Sequence, residues 1–325
     1  MRRLWTGMMV AWLSVLAVPS FISAQTKLVI GVPHRVFFDV ALPMYVAEEK
    51  GFYKEEGLTI EPVYVKGGGE NVQAVITGDV NIGLATGLFA IFTAFAKGAP
   101  VTLVSAQMTG MSEFWYALET SPIRKLEDVA GKKIAYSNPG SSTHMAVLAV
   151  IDQLKAKGLK APEDIALGSP PDTFTAVKTG QADLGWSNPP LFFDRIEKGE
   201  IRVVFQASDI AKLRDVTIRA NFVNADFAKK NPDAVKKFFR AYQKAVDFIF
   251  DKREEAAKIW IRRADLKLSE PMVLKAWDYF SKQAMALKPI KGIQATMEDA
   301  IKFKFLKQPL TQAELDRLID LRYVQ

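Results

Sequence analysis

Apolar and polar positions along this chain switch repeatedly between two periods. Short apolar runs bounded by Gly, Pro or Asn predict buried strands, and apolar residues three or four apart predict helices. Residues 27–32 (Lys-Leu-Val-Ile-Gly-Val) predict a strand closed by Pro33, and 41–50 a helix stopped by Gly51. A strand at 59–65 and a helix at 70–77 follow, the helix entered through Gly67-Gly68-Gly69. Then come a strand at 81–85, a helix at 88–97 ending at Gly98, and a strand at 101–105. The series restarts with strand 132–136, helix 143–157, short helix 174–179, strand 182–186, helix 191–198 and strand 201–205. Strands alternating with helices at this spacing imply βαβ units and a mostly parallel sheet. Beyond a strand at 216–223 the texture turns helical, at 232–250, 253–263, 271–285, 297–306 and 311–321. Pro232 and Pro271 suit first-turn positions, with Asn231 and Ser269 as nearby caps. Phe238, Phe239, Tyr242, Val246 and Ile249 recur at helical spacing and are expected in the core.

The two series share an internal echo. Ala74-Val75-Ile76-Thr77-Gly78 precedes Asp79-Val80-Asn81-Ile82-Gly83, and Ala176-Val177-Lys178-Thr179-Gly180 precedes Gln181-Ala182-Asp183-Leu184-Gly185. In each copy a helix ends at Gly, the residue best suited to a left-handed terminal position, and a buried strand follows. Two similar α/β halves are the expectation.

Composition narrows the function classes. A basic start (Arg2, Arg3), an apolar stretch over 4–18 and small residues ending at Ala24 have the order of a secretory leader cleaved near Ala24. The stretch falls short of the roughly 20 apolar residues that a span needs. Export to the periplasm is therefore expected. With no cysteine, the chain has no disulfide, thiol nucleophile or thiolate metal site. The net charge of +7 drops to +5 without Arg2 and Arg3, and its basic residues are interspersed with acids. No basic stripe tracks a phosphate backbone, so nucleic acid is not an expected partner. H-E-x-x-H, G-x-S-x-G, dinucleotide and P-loop fingerprints are absent, and neither a catalytic residue, a metal nor a cofactor is expected.

In open sheets, ligands sit beyond the carboxyl ends of strands. The strand-to-helix loops there hold His34 to Asp39, Gly67 to Gly69, Thr86-Gly87, Gln107 to Thr109, Ser137 to His144, Pro170 to Asp172 and Trp186 to Pro190. Both histidines of the chain, His34 and His144, fall in the first loop of their half, where each either touches ligand or faces solvent. Ser141, Ser142 and Thr143 open a helix, where hydroxyls, free backbone N–H groups and the helix dipole form an anion cradle. Gly68 lies in a run that allows close backbone approach or serves as a flexible connector. Phe37, Phe38 and Trp186 offer flat apolar walls, one of the two phenylalanines being expected in the core.

Four segments resemble the nitrate/sulfonate/taurine-type substrate-binding proteins of ABC importers, a family that includes thiamine-precursor binders. They are Ala47-Glu48-Glu49-Lys50-Gly51-Phe52-Tyr53-Lys54-Glu55-Glu56-Gly57-Leu58, residues 76–83, residues 126–135 and residues 177–189. The resemblance implies an α/β, type II periplasmic-binding-protein fold, with two lobes joined by a two-crossing hinge and a helical C-terminal part. Lobe 1 is expected at 25–117 with 213–325, and lobe 2 at 118–212. It further implies a monomer that closes on a small organic anion and docks on an inner-membrane permease driven by a cytoplasmic ATPase. The ligand contacts it implies fall on His34, Phe37, Phe38, Gly68, Thr86, Gln107, Ser141, Ser142, Thr143, His144, Trp186 and Asn188. The aromatic content suggests an aromatic carboxylate over an alkyl sulfonate. Two alternatives stay open: a periplasmic sensor that presents its bound state to a receptor, and a thiamine-pyrimidine-synthase-like enzyme. Synthases of this fold use a cysteine-rich loop with a sacrificial histidine, which a chain without cysteine does not carry.

Overall fold

The computed structural model describes residues 25–324; the leader expected at 1–24 lies outside the described residues. The ten strands are β1 (Thr26–Val32), β2 (Leu58–Tyr64), β3 (Ile82–Gly87), β4 (Val101–Thr109), β5 (Phe114–Leu118), β6 (Lys133–Tyr136), β7 (Glu163–Ala166), β8 (Gly185–Ser187), β9 (Ile201–Gln206) and β10 (Thr217–Asn224). The first sheet runs β2-β1-β3-β10-β4. In the other half β8-β5-β9 and β6-β7 are joined through a parallel bridge between Ile134 and Leu184, giving the order β7-β6-β8-β5-β9.

These two orders are the same arrangement used twice. In each half the first three strands pair in parallel, and one antiparallel strand is inserted before the last. The inserted strands, β5 and β10, are the ones the chain forms directly after crossing between halves. The expected mostly parallel sheet is therefore corrected to two mixed sheets. Hydrophobic runs carry no strand direction, and β5 and β10 need no βαβ crossover helix.

The sequence echo has a physical basis in this geometry. Gly83 pairs with Phe222 of β10, and Gly185 pairs with Tyr116 of β5. A Cβ on Gly83 would lie 2.4 Å from the Phe222 ring, and one on Gly185 2.3 Å from the Tyr116 hydroxyl. Each glycine thus leaves room for an aromatic residue of the inserted strand. The Asn81 side chain accepts from Val29 N at 2.8 Å, and Asp183 accepts from Lys133 N at 2.8 Å. Matching polar positions therefore tie matching strands.

Two short segments join the halves, one between β4 and β5 and one between β9 and β10. They run side by side, with Gly110 N donating to Val216 O at 3.0 Å and Ala207 N to Glu113 O at 2.9 Å. β5 pairs with β8 and β9, so the expected boundary at 117/118 falls inside a strand of the second sheet.

Most helices form where expected. Pro232–Asp251 buries Val235, Phe238, Phe239, Tyr242, Val246 and Ile249 along one face and packs on Ala41–Glu49. One expected helix does not form as such: 271–285 is a short helix, Glu270–Leu274, followed by a 3-10 turn, Lys275–Asp278. Past that turn Phe280 stacks on Phe38 at 4.3 Å, while Trp277 donates to Ile249 O at 3.1 Å. These aromatic contacts override the helical period. The loop expected at 170–172 is instead the first turn of Pro170–Lys178, where Asp172 accepts from Ser169 N at 3.1 Å.

Candidate functional site

The carboxyl ends of β1 and β3 face the start of the helix Ser142–Ala156 across a cavity of about 360 Å³, part of it open to solvent. Its free interior is narrow, with room for about one water molecule. The lobes meet around it: Asn138 Nδ2 donates to Lys66 O at 2.6 Å and Lys302 pairs with Asp152 at 2.6 Å. Gly67 and Gly87 permit this approach. A Cβ on Gly67 would lie 2.3 Å from Asn138 Nδ2, and one on Gly87 2.8 Å from both Gly140 O and Ser142 N.

Seven of the expected residues line this cavity. His34, Phe37 and Gly68 come from one lobe; Ser141, Ser142, Thr143 and Trp186 come from the other. The His34 and Phe37 ring centroids lie 3.9 Å apart, and Trp186 sits edge-on to Phe37 at 6.0 Å and to His34 at 6.2 Å. The walls are thus aromatic from both sides. Trp186 Nε1 is buried without a hydrogen-bond partner. Burial, and then the charge of Arg219, push the His34 imidazole down to about 3, so it stays neutral at physiological pH.

The hydroxyl cradle is largely self-satisfied. Ser137 Oγ lies 2.9 Å from both Ser141 Oγ and Thr143 Oγ1, and Ser141 caps the helix by accepting from His144 N at 3.2 Å. The helix start presents backbone N–H groups more than free hydroxyls.

Five expected residues lie outside the lining. Phe37 and Phe38 are both fully buried, but Phe38 packs among Trp260, Trp277, Phe280 and Phe250 while Phe37 meets His34 and Trp186, so Phe38 is the one turned away from the cavity. Thr86 is buried, with its hydroxyl 3.2 Å from Asn71 Nδ2. Gln107 donates to Tyr242 Oη at 2.8 Å and to Asp39 O. Asn188 donates to Ser112 Oγ at 3.1 Å. His144 stacks on Tyr136 with centroids 4.0 Å apart and accepts from Gly140 N through Nδ1 at 3.0 Å. Its Nε2 therefore carries the proton and donates to Asp164 at 3.2 Å. It shapes the turn before the cavity helix.

The sequence reading missed the ionic cluster at this site. Arg219 of β10, 3% exposed, lines the cavity together with the fully buried Glu113 from the first crossing. Arg219 Nη1 donates to Glu113 Oε1 at 2.5 Å, and Nη2 lies 3.0 Å from Asp39 Oδ2, an ion pair without hydrogen-bond alignment. Burial raises the Asp39 carboxyl above its ordinary range against the pull of Arg219, and the Glu113 charge adds to the rise. A lone arginine inside the apolar run Thr217–Asn224 was the available signal, since charged residues are almost never fully buried unless paired. Among the described residues no cluster of His, Cys, Asp and Glu could hold a metal, and no helix is long and apolar enough to cross a membrane.

Comparison with known proteins identifies the family and the fold. The family profile described as "NMT1/THI5 like" matches residues 40–256. The taurine-binding periplasmic protein of Escherichia coli is 30% identical over 234 residues, covering 71% of this chain and 67% of its own length. The 4-amino-5-hydroxymethyl-2-methylpyrimidine phosphate synthase of Saccharomyces cerevisiae is 26% identical over 258 residues, covering 74% of this chain and 73% of its own. Among solved structures, the periplasmic aliphatic sulphonate binding protein SsuA from Escherichia coli superposes with a TM-score of 0.70 at 20% identity, over 90% of this chain and 97% of that one. The shared architecture is that of the periplasmic binding proteins, as expected.

Proposed function

The chain belongs to the NMT1/THI5-like family, and from that premise we propose that it is an exported solute-binding protein that captures a small molecule between its lobes for an ABC importer. The observation that carries this reading is a cavity walled from both lobes, with Phe37 and His34 on one side and Trp186 and the helix start Ser142 on the other. A solute seated there touches both walls only when they close, so its binding energy favours the closed state. The expected division, 25–117 with 213–325 against 118–212, shifts to the paired crossings: β1 to β4 with β10 and the helices after it would form one moving body, and β5 to β9 the other. The closed form would dock on a permease coupled to a cytoplasmic ATPase, with the protein acting as a monomer in the periplasm.

The synthases among the relatives supply a second reading. Against it, the chain has no cysteine, and of its two histidines His144 is committed to Gly140 and Asp164, which leaves His34 as the one in the cavity wall. A sensor role would use the same cavity and differ only in the partner of the closed form.

A thermal-shift screen tests the proposal. A solute at about 100 times its Kd adds about 2.7 kcal/mol to stability. For a chain of this size that is a rise of several degrees. Sulfonates, carboxylates, amines and aminopyrimidines form the panel, applied after unfolding and refolding to remove carried-over solute. A clear rise for one class supports solute capture; turnover of any member would favour the enzyme reading instead.

A further inference from the structure

Outside the cavity, one short segment of the first lobe grips the second. The helix Ile293–Lys302 packs with the lobe of β1 to β4 and ends in a left-handed turn. Lys304 N donates to Ile301 O at 3.0 Å and Phe305 N to Ala300 O at 2.7 Å, the two bonds of a Schellman stop. Glycine is the usual residue at the left-handed position of such a stop; here Lys304 takes it, with φ 65°. The turn brings Phe305 to the seam between the lobes. Its ring packs on Phe89 of its own lobe at 4.9 Å and stands edge-on to His144 of the facing lobe at 5.5 Å. Thr93 anchors it by donating to Phe305 O at 3.1 Å. A Cβ on Gly140 of the facing lobe would lie 3.3 Å from the Phe305 ring, so ring and turn are in close contact.

Beside this contact, four charges alternate in sign along the seam. Lys302 Nζ lies 2.6 Å from Asp152 Oδ2, which lies 3.5 Å from Lys212 Nζ, and Lys212 Nζ lies 2.9 Å from Asp299 Oδ2. Asp152 stands on the helix Ser142–Ala156, Lys212 on the second crossing, and Lys302 and Asp299 on Ile293–Lys302. The charges therefore join both lobes and the hinge. Both lysines are exposed, so each pair is weak and screened by salt, but the Asp152 side chain is only 19% exposed and is shared by two cations. None of Phe305, Lys302 and Asp152 lines the cavity.

We infer that residues 299–305 form a closure strap, a segment of one lobe that holds the other through Lys302 and Phe305 and so tunes how tightly a solute is kept without touching it. The inference rests on the reading that the lobes open and close around a solute. Contacts made only in the closed form raise its share in the empty protein, and apparent affinity rises with that share. The strap lies outside residues 40–256, the span that the family profile matches. The cavity then selects the solute, while the strap sets its affinity and the response of that affinity to ionic strength.

Distances within the empty protein test this, since no solute need be known. The chain has no cysteine, so Gln73→Cys and Lys178→Cys, at exposed positions on opposite lobes, take spin labels at those two places alone. Pulsed electron spin resonance then gives the ratio of short to long separations, closed to open. Asp152→Asn should lower that ratio about two- to fivefold at low salt. Lys302→Gln should lower it by no more than that, and the double variant no further than Asp152→Asn alone, because both changes cut one network. Roughly 0.5 M potassium chloride should lower the wild-type ratio and leave that of Asp152→Asn nearly unmoved. Phe305→Ala should lower the ratio at either salt concentration; if it fails to fold, the charge variants still decide. Gly87→Ala, whose Cβ would meet the facing backbone at 2.8 Å, is the control that opens the lobes by another route. If Gly87→Ala lengthens the separation while both charge variants or folded Phe305→Ala keep the wild-type ratio, the strap is overturned and lobe closure stands. If Gly87→Ala also leaves the separation unchanged, lobe closure is refuted and the strap falls with it.

Discussion

Gly87→Ala separates closure from folding. Gly87 has φ −62° and ψ 138°, a conformation alanine adopts without strain, so the change should leave its own lobe nearly intact. All three nearest neighbours of a Cβ there belong to the facing lobe: Gly140 O at 2.8 Å, Ser142 N at 2.8 Å and Ser141 C at 2.9 Å. These are backbone atoms, so no side chain can swing aside, and the lobes must stay a fraction of an ångström apart. Overpacking of this kind costs about 1–3 kcal/mol. The cost falls only on the closed state, so it appears as weakened binding, roughly 5- to 150-fold in Kd. The assay is titration of the solute that gives the largest thermal shift, alongside urea denaturation of the empty protein. The expected result is a raised Kd with a nearly unchanged urea midpoint. A wild-type Kd in Gly87→Ala would refute the argument, since the Gly87–Gly140 approach would then be absent from the bound state.

Other consequences follow from single contacts. Gly83→Ala and Gly185→Ala should each destabilise the fold by about 1–3 kcal/mol, because the new Cβ meets Phe222 or Tyr116; matched losses in urea midpoint would test the equivalence of the halves. Phe38→Ala should cost about 3–5 kcal/mol of stability. Phe37→Ala, at an equally buried position, should cost comparable stability and in addition weaken solute binding, and unchanged binding in folded Phe37→Ala would place the cavity wall wrongly. His34 is held neutral in the fold, with a lowered pKa. Its contribution to stability is therefore complete above its ordinary pKa of 6.5 and is lost as pH falls toward 3, by at most about 1.4 kcal/mol per pH unit. His34→Gln should flatten the stability profile between pH 6.5 and 5, and an unchanged slope would contradict the neutral assignment.

Much of this architecture is legible in the residues, and the illegible parts have physical causes. The alternation of apolar runs and helical spacing located β1, β3 and the long Pro232–Asp251 helix, because each buries a continuous apolar face. The echo around Gly83 and Gly185 was visible, but its reason was not: it lies in Phe222 and Tyr116, which arrive from distant parts of the chain. β7 escaped because Glu163–Ala166 is mostly exposed and carries no apolar signature. Rules about strand ends and helix starts singled out His34, Phe37, Gly68, Ser141 to Thr143 and Trp186, which line the candidate cavity. They could not separate Phe37 from Phe38, since neighbouring aromatics look alike until a partner such as Phe280 is known. Nor could they join Asp39, Glu113 and Arg219, which stand 74 and 106 residues apart and meet only because both crossings pass the cavity.

The central claim is that one small molecule binds between the two lobes and touches both. Titration calorimetry of refolded protein with the best solute from the thermal-shift screen tests it most directly, repeated on Phe37→Ala and Trp186→Ala. Wild-type protein is predicted to bind one solute per chain. Each variant, one from each lobe, should bind about tenfold or more weakly while keeping its fold. Binding indifferent to one of the two walls, or a stoichiometry other than one, would contradict the account.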